Sequence, residues 1–194
     1  MGFTYRWQFV GSMATAKTGT FYLTETVDLS AAAADGSRFS GTIDLSAYVN
    51  VPTGQAIAIH GVDFIWQNGS LFDGNVEGMV AANGALSVQL TDLNPGAAFV
   101  RADNHSLVAS GALNIDKANN IASHVSDLYP DNFGPGNLSE SFLVVNDQLH
   151  LVAGNDGTAI GGATVRCTAR VRASVVKLSK MDWMAIAIQS TASD

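Results

Sequence analysis

Apolar and polar residues alternate along much of the chain. Phe3, Tyr5, Trp7 and Phe9 are separated by Thr4, Arg6 and Gln8, and Phe21, Leu23, Val27 and Leu29 alternate with Thr24, Thr26 and Asp28. A period of two puts every second side chain on one side of an extended backbone, so each segment predicts a strand with one buried and one solvated face. Phe39, Ile43 and Leu45 continue the theme up to a Val51-Pro52-Thr53-Gly54 turn. Glu25 breaks the apolar parity of its segment; a solvated strand edge accounts for it more simply than a functional carboxylate.

Within Ala56–Trp66 the phase changes. Ile57 and Ile59 are odd, Val62, Phe64 and Trp66 are even, and His60-Gly61 sits at the switch. One extra residue at a glycine predicts a β-bulge, of the kind found where a strand bends from one sheet toward another. Two hairpins are expected, Met79–Ala82 with Ala85–Leu90 around Asn83-Gly84, and Phe142–Val145 with Gln148–Val152 around Asn146-Asp147. The longest strand is expected at Ala163–Val175, apolar at odd positions and Thr, Arg or Ser at even ones.

Helix is scarce. Ser30–Asp35 predicts a single turn ended by Gly36, and Asp116–Leu128 aligns Ala118, Ala122, Val125 and Leu128 on one side before Pro130. Ser179 with Asp182 forms a capping-box pattern opening a helix over about 180–189. That helix is apolar nearly all round (Met181, Trp183, Met184, Ile186, Ile188), so it must be buried against something. Many short strands with Gly, Asn and Asp turns and little helix predict an all-β sandwich or barrel. The expected form is a single jelly-roll sandwich of about 8–10 antiparallel strands, with a loop helix at about 116–128 and a C-terminal helix at about 180–189. Residues 1–177 form the sandwich in this reading, and 178–194 the helix and tail, not a separate domain. The paired cysteines around a tryptophan that mark immunoglobulin domains are missing.

Composition then narrows the function classes. Of the 194 residues 47% are hydrophobic and only 14% charged, whereas soluble domains carry about 25% charged residues. Disordered chains, basic nucleic-acid coats and halophile-style acidic surfaces are excluded, and a solitary monomer is disfavoured. The net charge of −7 is unevenly placed. Residues 1–165 hold five basic groups against fifteen acidic ones, and Arg166, Arg170, Arg172, Lys177 and Lys180 follow with no acid among them. Such a stretch suits an acidic neighbour, anionic lipid or nucleic acid, or internal pairing with carboxylates of its own chain. The lone Cys167 allows no internal disulfide, and Met1–Arg6 has no apolar segment of a signal peptide, so folding in the cytoplasm is expected.

Catalytic patterns do not emerge. There is no Gly-x-Ser-x-Gly elbow, Cys167 falls on the apolar face of the long strand, and His60, His105, His124 and His150 lack metal-ligand spacing. Asp73-Gly74-Asn75-Val76-Glu77-Gly78 imitates the first half of a calcium loop, but Gly84 stands where the bidentate acid belongs, and a plain turn is the simpler reading. Gly134-Pro135-Gly136 lacks the lysine of a phosphate loop. No enzyme activity, catalytic residue, metal site, cofactor or small-molecule substrate is therefore expected.

The absence of a signal peptide, the Ala/Gly/Ser/Thr-rich composition, the long alternating Ala163–Val175 strand and the short apolar helix Met181–Gln189 together resemble the single jelly-roll coat proteins of tailless icosahedral viruses, including those whose capsid encloses a membrane. That resemblance implies a structural virion protein, made in the host cytoplasm, whose partners are copies of itself, with a second coat protein, an internal membrane or a genome layer as further options. Many such proteins have a basic N-terminal arm for the genome; Met1–Arg6 does not read as one, which puts direct genome binding in doubt. The contact residues it implies are Arg166, Arg170, Arg172, Lys177, Lys180 and Trp183. The competing reading is a lectin-like carbohydrate-binding module, with Trp7, Trp66 and Trp183 as stacking candidates.

Overall fold

The computed structural model describes residues 15–125 and 141–191. Ten strands run in chain order: β1 Thr15–Ala16, β2 Phe21–Leu29, β3 Arg38–Asp44, β4 Gln55–Asn68, β5 Gly84–Thr91, β6 Leu107–Asp116, β7 Ile121–Val125, β8 Phe142–Val144, β9 Gln148–Asp156 and β10 Val165–Lys177. Two α-helices join them, α1 Val76–Met79 and α2 Lys180–Thr191. The fold is an all-β sandwich. One sheet has the order β2–β10–β4–β8, with β1 beside the end of β10, and the other β3–β9–β5–β6–β7.

The pairing explains the wrapping. β2 pairs with β10, β3 with β9, β4 with β8 and β5 with β6, all antiparallel. The chain is thus one long hairpin rolled so that alternate strand pairs fall in opposite sheets, which is the jelly-roll arrangement. The inward positions of β10 (Val165, Cys167, Ala169, Val171, Ala173, Val175) are buried against Leu86, Val88 and Leu90 of β5 and Leu149 and Leu151 of β9 in one apolar core. The expected Ala163–Val175 strand is found two residues later; its alternation holds from Val165 to Ala173, beyond which Ser174 and Val176 are buried on the other face as well.

The bulge at His60 is present. Gly61 pairs with Arg172 and Ile59 with Ala173, leaving His60 as the extra residue. β4 stays in its sheet across the bulge rather than leaving for the other one. Glu25 faces the space between the sheets on β2, an edge strand, packed so closely over β3 that a Cβ at Gly41 would lie 2.6 Å from its Oε1. It is only half-buried, as a solvated edge requires.

Four local expectations are corrected. Residues 116–125 are not helical: they are the end of β6, a tight turn and β7, which pairs back on β6. Asn120 adopts φ +55°, Asp116 accepts from the Asn119 backbone at 3.2 Å, and Asn83 accepts from Ala118 N–H at 3.1 Å. Asn side chains that bond a nearby backbone and tolerate left-handed φ favour a turn over a helix interior. Asn83-Gly84 is no hairpin turn, because Val80 and Ala81 pair with Ile160 and Ala159 while β5 takes β6 and β9 as partners. Asn146-Asp147 is no hairpin turn either, since β8 and β9 lie in different sheets. Ser30–Asp35 forms turns, with Ala32 at φ +55° and Gly36 at φ +77°. The expected Phe3–Phe9 strand, Trp7, Gly134-Pro135-Gly136 and residues 126–128 of the loop helix lie outside the described residues.

Candidate functional site

The outer face of the first sheet carries the arginine row. Even positions of β10 point away from the core, so Arg166, Thr168, Arg170 and Arg172 lie between Tyr22–Asp28 of β2 and Gly61–Gln67 of β4. Three partners hold Arg166: Asp28 Oδ1 lies 3.3 Å from its Nε, the Gly69 carbonyl accepts at 2.6 Å, and the Phe72 ring lies 5.0 Å from its guanidinium carbon. This residue answers the internal-pairing alternative and anchors the loop after β4. Arg170 sits over Tyr22 at 5.0 Å, and Arg172 donates to the His60 carbonyl at 3.3 Å. Among the described residues neither forms a salt bridge.

Lys177 and Lys180 are exposed where β10 passes into α2. The expected cap opens this helix: Ser179 Oγ accepts from Asp182 N–H at 3.2 Å and donates to the Asp182 carboxylate. α2 lies on the outside of the first sheet. Trp183, Ile186 and Ala187 pack there on Ala56 and Ala58 of β4, Val145, and Val176 and Leu178, a second apolar cluster apart from the core. The structure therefore places Trp183 inward, as the residue that fastens the helix. Its indole N–H is buried without a hydrogen-bond partner.

The other side of α2 is open. Met181, Met184 and Ile188 are 84%, 58% and 62% exposed, at the three- and four-residue spacing that makes one helical stripe. The sequence expectation that the helix must be buried is met on one side only. Its nearly uniform hydrophobicity does not show which residues stay outside.

A groove of about 250 Å³ lies near the opposite end of β4, lined by Val76, Glu77, Ile115, Asp116, Lys117 and Ile121 among others. Hydrogen bonds from Asn119 and Asn83 hold the Asp116 carboxyl below its usual range, so it is anionic at neutral pH. The Lys117 ammonium is engaged by the Val80 carbonyl at 3.0 Å. The calcium-like segment forms one wall of the groove: Asp73 Oδ1 accepts from Asn75 N–H at 3.0 Å, and the chain then enters α1 at Val76. Among the described residues, no three His, Cys, Asp or Glu side chains are grouped to hold a metal ion.

Two buried polar groups escaped sequence reading. His60, displaced by the bulge, hydrogen-bonds Ser174 Oγ at 2.8 Å and Ser141 Oγ at 2.9 Å, tying β4, β10 and the residue before β8 together. Desolvation, then the Arg172 charge, lowers its pKa. Asp92, 2% exposed after β5, has its carboxyl raised to about 6 by burial, while Asn146 donates to its carbonyl at 2.9 Å. The bulge is legible in the sequence, but the serines that meet it are 114 and 81 positions away. Of the tryptophans considered for sugar stacking, Trp66 packs against the main core and Trp183 against the second cluster. Among the described residues no helix is long and apolar enough to cross a membrane. Comparison with protein-family models and with curated proteins gives no match.

Proposed function

We propose that the protein is a structural coat subunit that assembles with copies of itself into a closed shell, as the resemblance to single jelly-roll capsid proteins implies. One observation carries this reading. α2 is capped, packed on the sheet through Trp183, and still presents Met181, Met184 and Ile188 to solvent. An ordered helix exposing three large apolar side chains in one stripe is characteristic of an interaction surface. Further support comes from the jelly-roll wrapping and from the uncharged positions that lie between the arginines of the outer sheet face. Thr24, Thr26, Thr168 and Ile65 cost little to desolvate against a neighbour.

The test is the state of the full chain in solution. Light scattering behind size-exclusion chromatography, followed by negative-stain microscopy, is expected to show shells, lattices or discrete oligomers. A monomer at every concentration overturns the reading, and retention of that monomer on a sugar column would favour a carbohydrate-binding module.

A further inference from the structure

The exposed stripe of α2 and the acidic groove lie at opposite poles of the sandwich. α2 packs over Ala56 and Ala58 at the start of β4, whereas Asn68 at its end pairs with Asp73 just before the groove-lining residues 74–77. The intervening strand spans roughly 35 Å at about 3.3 Å per residue. One copy therefore cannot bring its own stripe to its own groove, but a second copy can.

The two surfaces are opposite in kind: one is an exposed apolar ridge flanked by cations, the other a concavity with an apolar lining and carboxylates. The stripe is a ridge of two flexible methionines and an isoleucine, with Lys177 and Lys180 exposed beside its first turn. The groove is a concavity with Val76, Ile115 and Ile121 as apolar lining and Glu77 and Asp116 as anions; among the described residues Lys117 also lines it and bonds the Val80 carbonyl, while Asp116 accepts from Asn83 and Asn119. Methionine adapts to an irregular apolar surface better than a branched side chain does. An anionic lipid surface would attract the two lysines, but it offers the stripe no fixed concavity with carboxylates at its rim, which the groove of another copy does. A second copy is favoured.

We propose that the Met181–Met184–Ile188 stripe of one copy seats in the Val76–Ile121 groove of the next, with Lys177 and Lys180 facing Glu77 and Asp116. This rests on the coat-subunit reading and specifies one of its contacts. Joining unlike patches makes the contact heterologous, so it propagates head to tail and closes only where the rotation between copies permits.

The test uses the full chain with Met184→Cys and Ile121→Cys together, under a mild thiol–disulfide buffer, each single variant serving as control. Cys167 is fully buried and stays out of the exchange. The double variant is expected to give a ladder of covalent multimers on a denaturing gel, and each single variant none. Independently, Lys180→Glu and Glu77→Lys should each weaken assembly about tenfold, and the double reversal should restore it. Covalent dimers from Met184→Cys alone would mean that α2 pairs with itself, which overturns the proposal. Assembled wild-type protein without the ladder, and without charge rescue, overturns this contact while leaving the coat-subunit reading in place. A monomeric wild type that sediments with phosphatidylserine vesicles overturns both.

Discussion

Gly54 lies so close to Leu178 that a Cβ on the glycine would stand 2.5 Å from the Leu178 carbonyl oxygen. The Leu178 N–H in turn donates to the Gly54 carbonyl at 2.8 Å. The turn before β4 is thereby fixed to the start of α2, and φ +68° at Gly54 excludes other residues at low cost. Gly54→Ala is expected to destabilise the fold by about 2 kcal/mol or more, through left-handed strain and the clash. Chemical denaturation followed by circular dichroism measures it, and an unchanged midpoint would refute the close approach.

The two sides of α2 should respond differently to substitution. Trp183→Ala removes the main anchor on the second cluster and is expected to cost about 2 kcal/mol, less than a fully buried tryptophan because the residue is only partly buried. Met184→Gln changes an exposed position and should leave thermal unfolding within about 0.5 kcal/mol of wild type while reducing assembly. Equal loss of stability from both would contradict the orientation of the helix.

Asp92 makes stability fall as pH rises through an acidic window. Its carboxyl titrates at about 6 in the folded chain against 3.8 when exposed, so between these values the native state holds a proton that the unfolded state has released. Above pH 6 the ionised form costs the native state at most about 3 kcal/mol. Asp92→Asn is expected to raise the urea midpoint at pH 7 and to flatten its change between pH 4 and 6, the comparison being urea unfolding across that range.

His60 acts in the other direction. Burial lowers its pKa below 6.5, so the unfolded chain takes up a proton first as the solution is acidified. The stability contributed by the neutral imidazole is complete above pH 6.5 and is lost as the pH falls through 6.5 toward the native pKa. His60→Gln should remove this component, although it weakens the Ser141 and Ser174 contacts at every pH. Unfolding at pH 7.5 and 5.5 for both chains separates the two effects.

The Cys167 thiol is enclosed on the core side of β10, and burial pushes its pKa well above the ordinary thiol range. A thiol that stays protonated is a poor nucleophile. Native protein is expected to react with Ellman's reagent at least about a hundred times more slowly than protein in denaturant, on the scale set by the rarity of global opening. Rapid labelling of native protein would show that β10 opens locally.

Legibility follows how far each cause reaches along the chain. β10 could be read from alternation over thirteen residues, the bulge from a parity change at His60-Gly61, and the α2 cap from two residues three apart. All are consequences of backbone geometry acting on near neighbours, so the sequence determined them alone. The partner of each strand was another matter. Asn83-Gly84 and Asn146-Asp147 both have turn chemistry between apolar runs, yet in neither case do the flanking runs pair with each other. β5 is satisfied by β6 and β9, and β8 and β9 enter opposite sheets. The alanine spacing after Asp116 fits a helix as well as a strand, and β6 decides by offering β7 a backbone edge. The surface was divided in the same way: both sides of α2 are apolar, and the cluster of Ala56, Ala58, Val145, Val176 and Leu178 chose Trp183 and Ile186 to bury. Met181, Met184 and Ile188 were left outside because helix position relative to a sheet is set by packing between distant segments, which no local period records.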